Sequence, residues 1–266
     1  MVNVIVAGAA GRMGARIINV IGQTEGVTLS GAFEHPDSPF INQDAGTAAG
    51  LGATGVKIVD SINDVIGNGD VVIDFTSPAA TLENIRAVSD KCLSMVIGTT
   101  GMTGDILEEV ERIAKGMRCV ISPNMSVGVN VMFRVAAMMA EILGDDYDME
   151  ILEAHHRLKK DAPSGTAMAL ARTLAKATGR DLEKVAVYER KGITGERRKE
   201  EIGIQTLRAG DITGDHTVMF GGIGERLELI HRAHNRDNFA RGAVRAAKWV
   251  VEQPIGLYNM QDVLGI

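Results

Sequence analysis

Cysteine is almost missing from this sequence: Cys92 and Cys119 are the only two. They lie far apart and outside any C-x-x-C spacing, which argues against a disulfide framework or a thiolate zinc site and leaves two reduced thiols. No stretch offers the ~20 uninterrupted apolar residues that a membrane span requires. The apolar run Val2-Ala7 at the start is too short for a signal sequence and has no basic segment before it. Positive charge is not in excess either, with a formal net charge of -6 and a pI near 5.6, so neither nucleic acid nor an anionic membrane is an expected partner. Together these absences lead us to expect a soluble, cytoplasmic protein that acts on a small molecule.

Several catalytic signatures are also lacking. There is no G-x-S-x-G elbow and no G-x-x-x-x-G-K-[ST] loop, which excludes the common hydrolase and P-loop readings. A Tyr-x-x-x-Lys pair is absent, since Tyr188 is followed by Gly192 at the lysine position. His231 and His234 stand three apart with no third ligand nearby, so no metal site is expected.

What is present is enough apolar sequence, 45% of 266 residues, for a sizeable core or two modest ones. The first half repeats one theme, a short β-branched run, then a Gly-rich or Ser/Thr-rich turn, then a helical pattern. The runs are Val2-Ala7, Val27-Phe33, Val56-Val59, Val71-Phe75, Leu93-Ile97 and Cys119-Ile121, with helices expected near 12-24, 79-91 and 104-116. Parallel βαβ units follow, and with them a Rossmann-type, doubly wound α/β sheet. Residues 36-56, rich in Gly, Ala, Asp and Pro, read as a long and mobile surface excursion.

Helical spacing from Val127 to Leu143 marks a helix leading into a second domain. That domain is expected to be α+β, with strands near 147-156, 184-190, 200-209 and 215-233 forming a mixed or antiparallel sheet beside a helix at 165-178. A last helix, Phe239-Val251, and a short tail should return to the first domain. The expected division is 1-126 with 236-266 for the dinucleotide-type domain and 127-235 for a substrate-binding and oligomerisation domain.

Gly8-Ala9-Ala10-Gly11-Arg12-Met13-Gly14 follows the first expected strand and opens a helix. Such glycines permit a tight turn and let backbone N–H groups approach a pyrophosphate at the positive end of the helix. The spacing departs from G-x-G-x-x-G, and an ordinary glycine turn explains it equally well when taken alone. Glu34 adds context, because it ends the second expected strand twenty positions after Gly14, where a carboxylate accepts hydrogen bonds from a ribose. Gly98-Thr99-Thr100-Gly101 and Ser122-Pro123-Asn124-Met125 follow two further strands, on the sheet edge where such folds bind ligands. As bare tetrapeptides both are common turns. Asp74-Phe75-Thr76 ends another strand on the same edge, but turn initiation explains it equally well.

The densest chemistry lies in Glu153-Ala154-His155-His156-Arg157-Leu158-Lys159-Lys160-Asp161-Ala162-Pro163-Ser164-Gly165-Thr166. Two imidazoles, a guanidinium and two ammonium groups precede a helix start at which Ser164 is a favoured cap. The N–H groups of Gly165 and Thr166 suit one carboxylate and the cations suit a second, so a dianionic substrate would be fixed at both ends. On a regular strand His155 and His156 face opposite ways, which leaves one of them for proton chemistry. Arg157 and Lys160 read equally well as solvated charges.

This combination closely resembles the dihydrodipicolinate reductase family. The likeness covers nearly the whole chain and continues through Thr194-Gly195-Glu196-Arg197, Arg208-Ala209-Gly210-Asp211-Ile212-Thr213-Gly214-Asp215-His216, Gly224-Glu225-Arg226-Leu227-Glu228 and Phe239-Ala240-Arg241-Gly242-Ala243. The resemblance implies reduction of 4-hydroxy-tetrahydrodipicolinate to tetrahydrodipicolinate, with loss of water and NADH or NADPH as donor, in diaminopimelate and lysine biosynthesis. It makes His155 the proton donor and Lys159 a second acid, His156 a substrate-carboxylate contact, and Gly165 and Thr166 donors to the other carboxylate. It further implies a homotetramer built through the second domain's sheet. An Arg often follows the ribose-binding acid in members that accept NADPH, whereas Glu34-His35-Pro36 stands here, so NADH is the expected preference. Arg12 acts in the opposite sense. The alternative of another class is a non-catalytic dinucleotide sensor, and retention of both His155 and Lys159 speaks against it.

Overall fold

The computed structural model describes all 266 residues. They divide into two units, Met1–Val127 with Arg236–Gly265, and Gly128–Asn235.

The first unit grows from the repeated strand-turn-helix theme. Its elements are β1 (Val2–Ala7), α1 (Arg12–Gly22), β2 (Val27–Phe33), α2 (Ala45–Ala48), β3 (Ile58–Val59), β4 (Val71–Asp74), α3 (Pro78–Asp90), β5 (Ser94–Ile97), α4 (Gly104–Ala114) and β6 (Arg118–Ile121). After the second unit the chain returns as α8 (Asp237–Val250), β12 (Gly256–Tyr258) and α9 (Met260–Leu264). The strands form one parallel sheet in the order β12-β6-β5-β4-β1-β2-β3. Because successive side chains point to opposite faces, Val4 and Val6 pack with α1 and α8, while Ile5 lies with Val72, Met95 and Ile97 against α3 and α4. Chain order reverses between β1 and β4, and this switch point is where an open α/β sheet leaves a crevice at its carboxyl edge.

The second unit holds α5 (Val127–Leu143), β7 (Asp148–His155), α6 (Gly165–Ala177), α7 (Leu182–Val185), β8 (Ala186–Val187), β9 (Ile202–Arg208), β10 (Gly214–Gly221) and β11 (Arg226–Ala233). Its sheet runs β11-β10-β7-β9-β8 and is mixed: β10 is antiparallel to both β7 and β11, and β9 is parallel to β7 and β8. The register lays residues in rows across its inner face. Met149, Ile202 and Phe220 make one row, and Ile151, Ile204 and Val218 the next, packed with α5 and α6 residues such as Met132, Phe133, Leu170 and Leu174. The segment Val127–Asp146 is long and apolar enough to cross a membrane, yet Val129, Met132, Phe133, Ala136 and Ala140 of α5 belong to this core. The outer face is uncovered, with Leu152, Leu207 and Ile230 exposed.

Three expectations need correction, and the tail returns to the first unit as expected while adding two elements. Residues 184-190 do not form a strand: the Asp181 side chain accepts from the Glu183 N–H, starts the single turn α7, and leaves two strand residues. The stretch 215-233 is two strands joined by a turn in which the Gly222 N–H donates to the Glu225 carbonyl. The excursion 36-56 is tied down, because the Asp44 carboxylate accepts from the backbone N–H groups of Thr47, Thr54 and Gly55, and Ala45 is fully buried. The tail forms β12, paired with β6, and α9, which starts with a capping box between Asn259 and Asp262.

Candidate functional site

The carboxyl edge of the first sheet gathers the glycine turn and the loops after β2, β4, β5 and β6. Gly8 takes φ +62°, a conformation that side chains resist. A Cβ on Gly14 would stand 2.0 Å from the Gly8 carbonyl oxygen, so α1 can approach its own turn only through glycine. No side chain caps the N-terminus of α1 and no acidic residue lies in its first turn. The amides of Arg12 and Met13 therefore begin an uncapped, electropositive helix end, which fits a pyrophosphate. The Glu34 carboxylate accepts from the Ala10 N–H at 2.9 Å and from the His35 N–H at 3.2 Å, so it holds the glycine turn against the end of β2. His35 is exposed and stands 3.5 Å from Asp37.

Thr99 and Thr100 differ in kind. Thr100 is exposed, whereas the Thr99 hydroxyl is buried in a network around Asp74. The Asp74 carboxylate accepts from the Thr76 N–H at 2.8 Å and hydroxyl at 2.6 Å, from the Asn84 amide at 2.8 Å and from Thr99 at 3.3 Å. Thr81 donates to Thr99 at 2.8 Å. A Cβ on Gly98 would strike the Phe75 ring at 2.2 Å, and one on Gly8 would meet Thr76 at 3.0 Å. The strand ends of β1, β4 and β5 are thus interlocked, and Asp74, first read as a turn starter, is their centre.

After β6, Ser122 donates to the Asn124 carbonyl and the Asn124 side chain accepts from the Ser126 N–H. Pro123 is exposed, and Met125 is buried in the core. The Met125 carbonyl packs against α8, since a Cβ on Gly242 would sit 1.7 Å from its oxygen.

In the second unit the inner face of the mixed sheet changes from apolar to polar beyond Ile151. The next row is Glu153, Thr206, His216 and His231, followed by His155 beside Arg208. Glu153 is 2% exposed and makes five contacts. Its carboxylate lies 2.6 Å from His155 Nδ1 and accepts from the Ser164 N–H at 2.9 Å, both terminal nitrogens of Arg208 at 2.9 Å, and Thr206 at 3.2 Å. Burial alone would raise its pKa, but hydrogen bonds from His155, Arg208 and Ser164 outweigh that and hold it at about 2. His155 ends β7 and stacks edge-on against His216, with centroids 5.2 Å apart. Burial, then the charge of His155, lowers the His216 pKa to about 3, so this ring stays neutral.

Ser164 starts α6: its hydroxyl accepts from the Ala167 N–H at 3.1 Å and shares a 3.1 Å hydrogen bond with His216 Nε2. Gly165, exposed, and Thr166, half-buried, form the first turn behind it. His156 carries a buried Nδ1 with no partner inside the chain, a nitrogen suited to a bound ligand. Lys159 pairs with Asp161 at 2.8 Å, and Arg157 and Lys160 are exposed. The Ser164–Glu153 hydrogen bond brings the start of α6, with Gly165 and Thr166, to the end of β7 that carries His155, and His156 and Lys159 follow His155 in the next loop. Glu153, Arg208, Ser164 and His216 join them. Glu153 was readable from the two-residue strand period, which puts it on the face of His155, but Arg208 and His216 arrive through pairing with distant strands and left no local signal.

A parallel sheet with a glycine turn at its switch point, together with a mixed sheet that carries an acid-base cluster, defines a two-unit α/β oxidoreductase. Residues 2–125 match the family profile described as dihydrodipicolinate reductase, N-terminus, and residues 128–264 match its C-terminus counterpart. The 4-hydroxy-tetrahydrodipicolinate reductase of Syntrophus aciditrophicus is 56% identical over 265 residues, covering 100% of this chain and 99% of that protein. The enzyme of the same name from Syntrophobacter fumaroxidans is 56% identical over 266 residues, the full length of both. Among solved structures, a dipicolinate-bound dihydrodipicolinate reductase from Paenisporosarcina sp. TG-14 superposes with a TM-score of 0.77 at 24% identity, over 98% of each chain. An amine dehydrogenase from Mycobacterium smegmatis shares the fold at a TM-score of 0.61 and 15% identity, covering 97% of this chain and 95% of that one, so the fold alone does not select the reaction. The chain belongs to the dihydrodipicolinate reductase family.

Proposed function

We propose that this chain reduces 4-hydroxy-tetrahydrodipicolinate to tetrahydrodipicolinate in the route to diaminopimelate and lysine. The ring gains a hydride and a proton and loses water, and the nicotinamide leaves oxidised. The reading rests on the cluster at the end of β7, where the buried His155 imidazole is followed by a buried His156 nitrogen that has no partner inside the chain, beside the start of α6.

Gly8 to Met13, Glu34, His35, Gly98 to Thr100 and Ser122 to Met125 would hold NADH or NADPH, and the bound cofactor supplies the hydride. The uncapped amides of α1 bind the pyrophosphate and Glu34 orients the ribose. His155 delivers the proton to the carbon next to the one reduced, with Lys159 as a second acid. An imidazole suits this work because its ordinary pKa lies near neutrality. His156 binds one substrate carboxylate. The Gly165 and Thr166 N–H groups, aided by the dipole of the 13-residue α6, bind the other. Holding both ends of a dianion in this way fixes the reacting carbon.

His155→Ala should lower kcat by roughly 100-fold or more, the usual scale of general acid catalysis, while NADH binding followed by fluorescence changes little. Unchanged turnover would remove His155 from the mechanism. We further propose a preference for NADH, because Glu34 and Asp37 oppose a 2'-phosphate and the exposed His35 is a weak partner for it. Comparing kcat/KM for the two cofactors tests this, and a higher value with NADPH would reverse it. A homotetramer through the outer face of the mixed sheet would cover Leu152, Leu207 and Ile230. Ile230→Glu should then give smaller species by light scattering, and an unaltered mass would place the contact elsewhere.

A further inference from the structure

We propose that Glu153, clamped by Arg208, is the positioning residue of the site: it dictates that His155 carries a proton on Nδ1 and reacts through Nε2. The proposal rests on the reading of His155 as the proton donor.

Glu153 and His155 lie two apart on β7, so both face inward, and their side chains are 2.6 Å apart. A carboxylate that already accepts from a backbone N–H, a hydroxyl and two guanidinium nitrogens is acceptor-only. Its imidazole partner must therefore be the donor at Nδ1. That leaves Nε2 as the nitrogen that releases and regains a proton. Gly214 keeps this side open, because a Cβ there would lie 3.1 Å from Nε2. The Arg208 fork is two-pronged, which fixes the carboxylate in rotation as well as in place. It also donates to the Asp161 carbonyl at 2.6 Å, in the loop that carries Lys159.

The same carboxylate accepts from the N–H of Ser164, the cap of α6. One side chain therefore sets the imidazole and the start of the helix whose first turn binds substrate. Every element around His155 contributes a titratable or charged group: Glu153 on β7, Arg208 on β9, His216 on β10, His231 on β11, and Lys159 with Asp161 in the following loop. Glu153 is the one of these that touches the ring of His155 through a hydrogen bond.

The test begins with the unaltered full chain, ¹⁵N-labelled at histidine, with His155 assigned by comparison with His155→Gln. We expect the hydrogen to reside on Nδ1 and Nε2 to be the nitrogen that exchanges its proton. A stable Nε2–H with a bare Nδ1 would overturn the proposal, whatever the substrate turns out to be. Kinetics provide the second arm. Glu153→Gln should reduce kcat on the order of 100-fold, displace the pH profile of kcat, and leave the NADH dissociation constant within about twofold, since that cofactor is held elsewhere. In a His155→Ala background the same change should cost less than about threefold, because two residues that act as one unit are not additive. Equal losses in both backgrounds would make Glu153 a merely structural residue and overturn the proposal. If the unaltered chain does not turn over the substrate, the functional reading fails, while the nitrogen spectrum still decides the role of Glu153. If Glu153→Gln does not fold, that spectrum likewise decides.

Discussion

Each unit buries a carboxylate at the end of a strand, and the two are held in opposite ways. Asp74 is fully buried with no cation beside it, and its acceptor sites are filled by a backbone N–H, an amide and two hydroxyls. Glu153 is equally hidden but faces a guanidinium and an imidazole. Neutral donors fix geometry without offering a proton to exchange, and they suit a residue that joins the ends of β1, β4 and β5. A carboxylate between Arg208 and His155 also stabilises positive charge on the ring, as a proton donor requires. In the function proposed above, one network serves as a frame and the other as part of the chemistry.

The sharpest way to break this comparison is to delete each carboxylate. Glu153→Ala strands Arg208 without its partner and should cost about 3–5 kcal/mol, the range for removing one member of a buried pair. Asp74→Ala leaves only neutral donors unmet and should cost about 1–3 kcal/mol. Denaturant unfolding of both variants checks the order, and equal losses would erase the distinction. Milder changes separate binding from turnover. Asp74→Asn should weaken NADH binding by about tenfold, or ~1.4 kcal/mol, with kcat at saturation nearly intact, whereas Glu153→Gln should do the reverse.

Acidification probes the second network. The folded pKa values of Glu153, at about 2 against an ordinary 4.5, and of His216, at about 3 against 6.5, both lie below those of the unfolded chain. The unfolded chain therefore binds more protons, and stability must fall as pH falls. The His216 contribution declines from about pH 6.5 downward and that of Glu153 from about 4.5. Melting curves should show His216→Gln flattening the upper part of the decline and Glu153→Gln the lower part. The smallest effect expected is that of Asp161→Asn, which releases Lys159 from its 2.8 Å pair at a half-exposed position. A change in kcat within about threefold is expected there, as for other screened pairs.

Legibility in the sequence followed the range of the interactions. The bounds of β1 and β2, the glycine turn and Glu34 were readable because alternation, turn chemistry and spacing are local. So were the motif at 153–166 and the Ser164 cap. Asp74 was visible but undervalued, since nothing in Asp74-Phe75-Thr76 reveals that Asn84 and Thr99 will meet it. Arg208 and His216 were quoted in a motif yet had no role until strand pairing set them beside Glu153. The α7 turn was missed for the opposite reason: Val185, Val187 and Tyr188 favour a strand, and the cap at Asp181 prevails over the first of them.

Isotope transfer tests the central claim most directly. The full chain, incubated with synthase-generated substrate and NADH deuterated at the nicotinamide C4, should yield tetrahydrodipicolinate with cofactor deuterium on one ring carbon and a solvent-derived proton on its neighbour. His155→Ala should slow that labelling without loss of NADH binding. An unlabelled ring despite NADH consumption, or labelling at the same rate without the imidazole, would contradict the account.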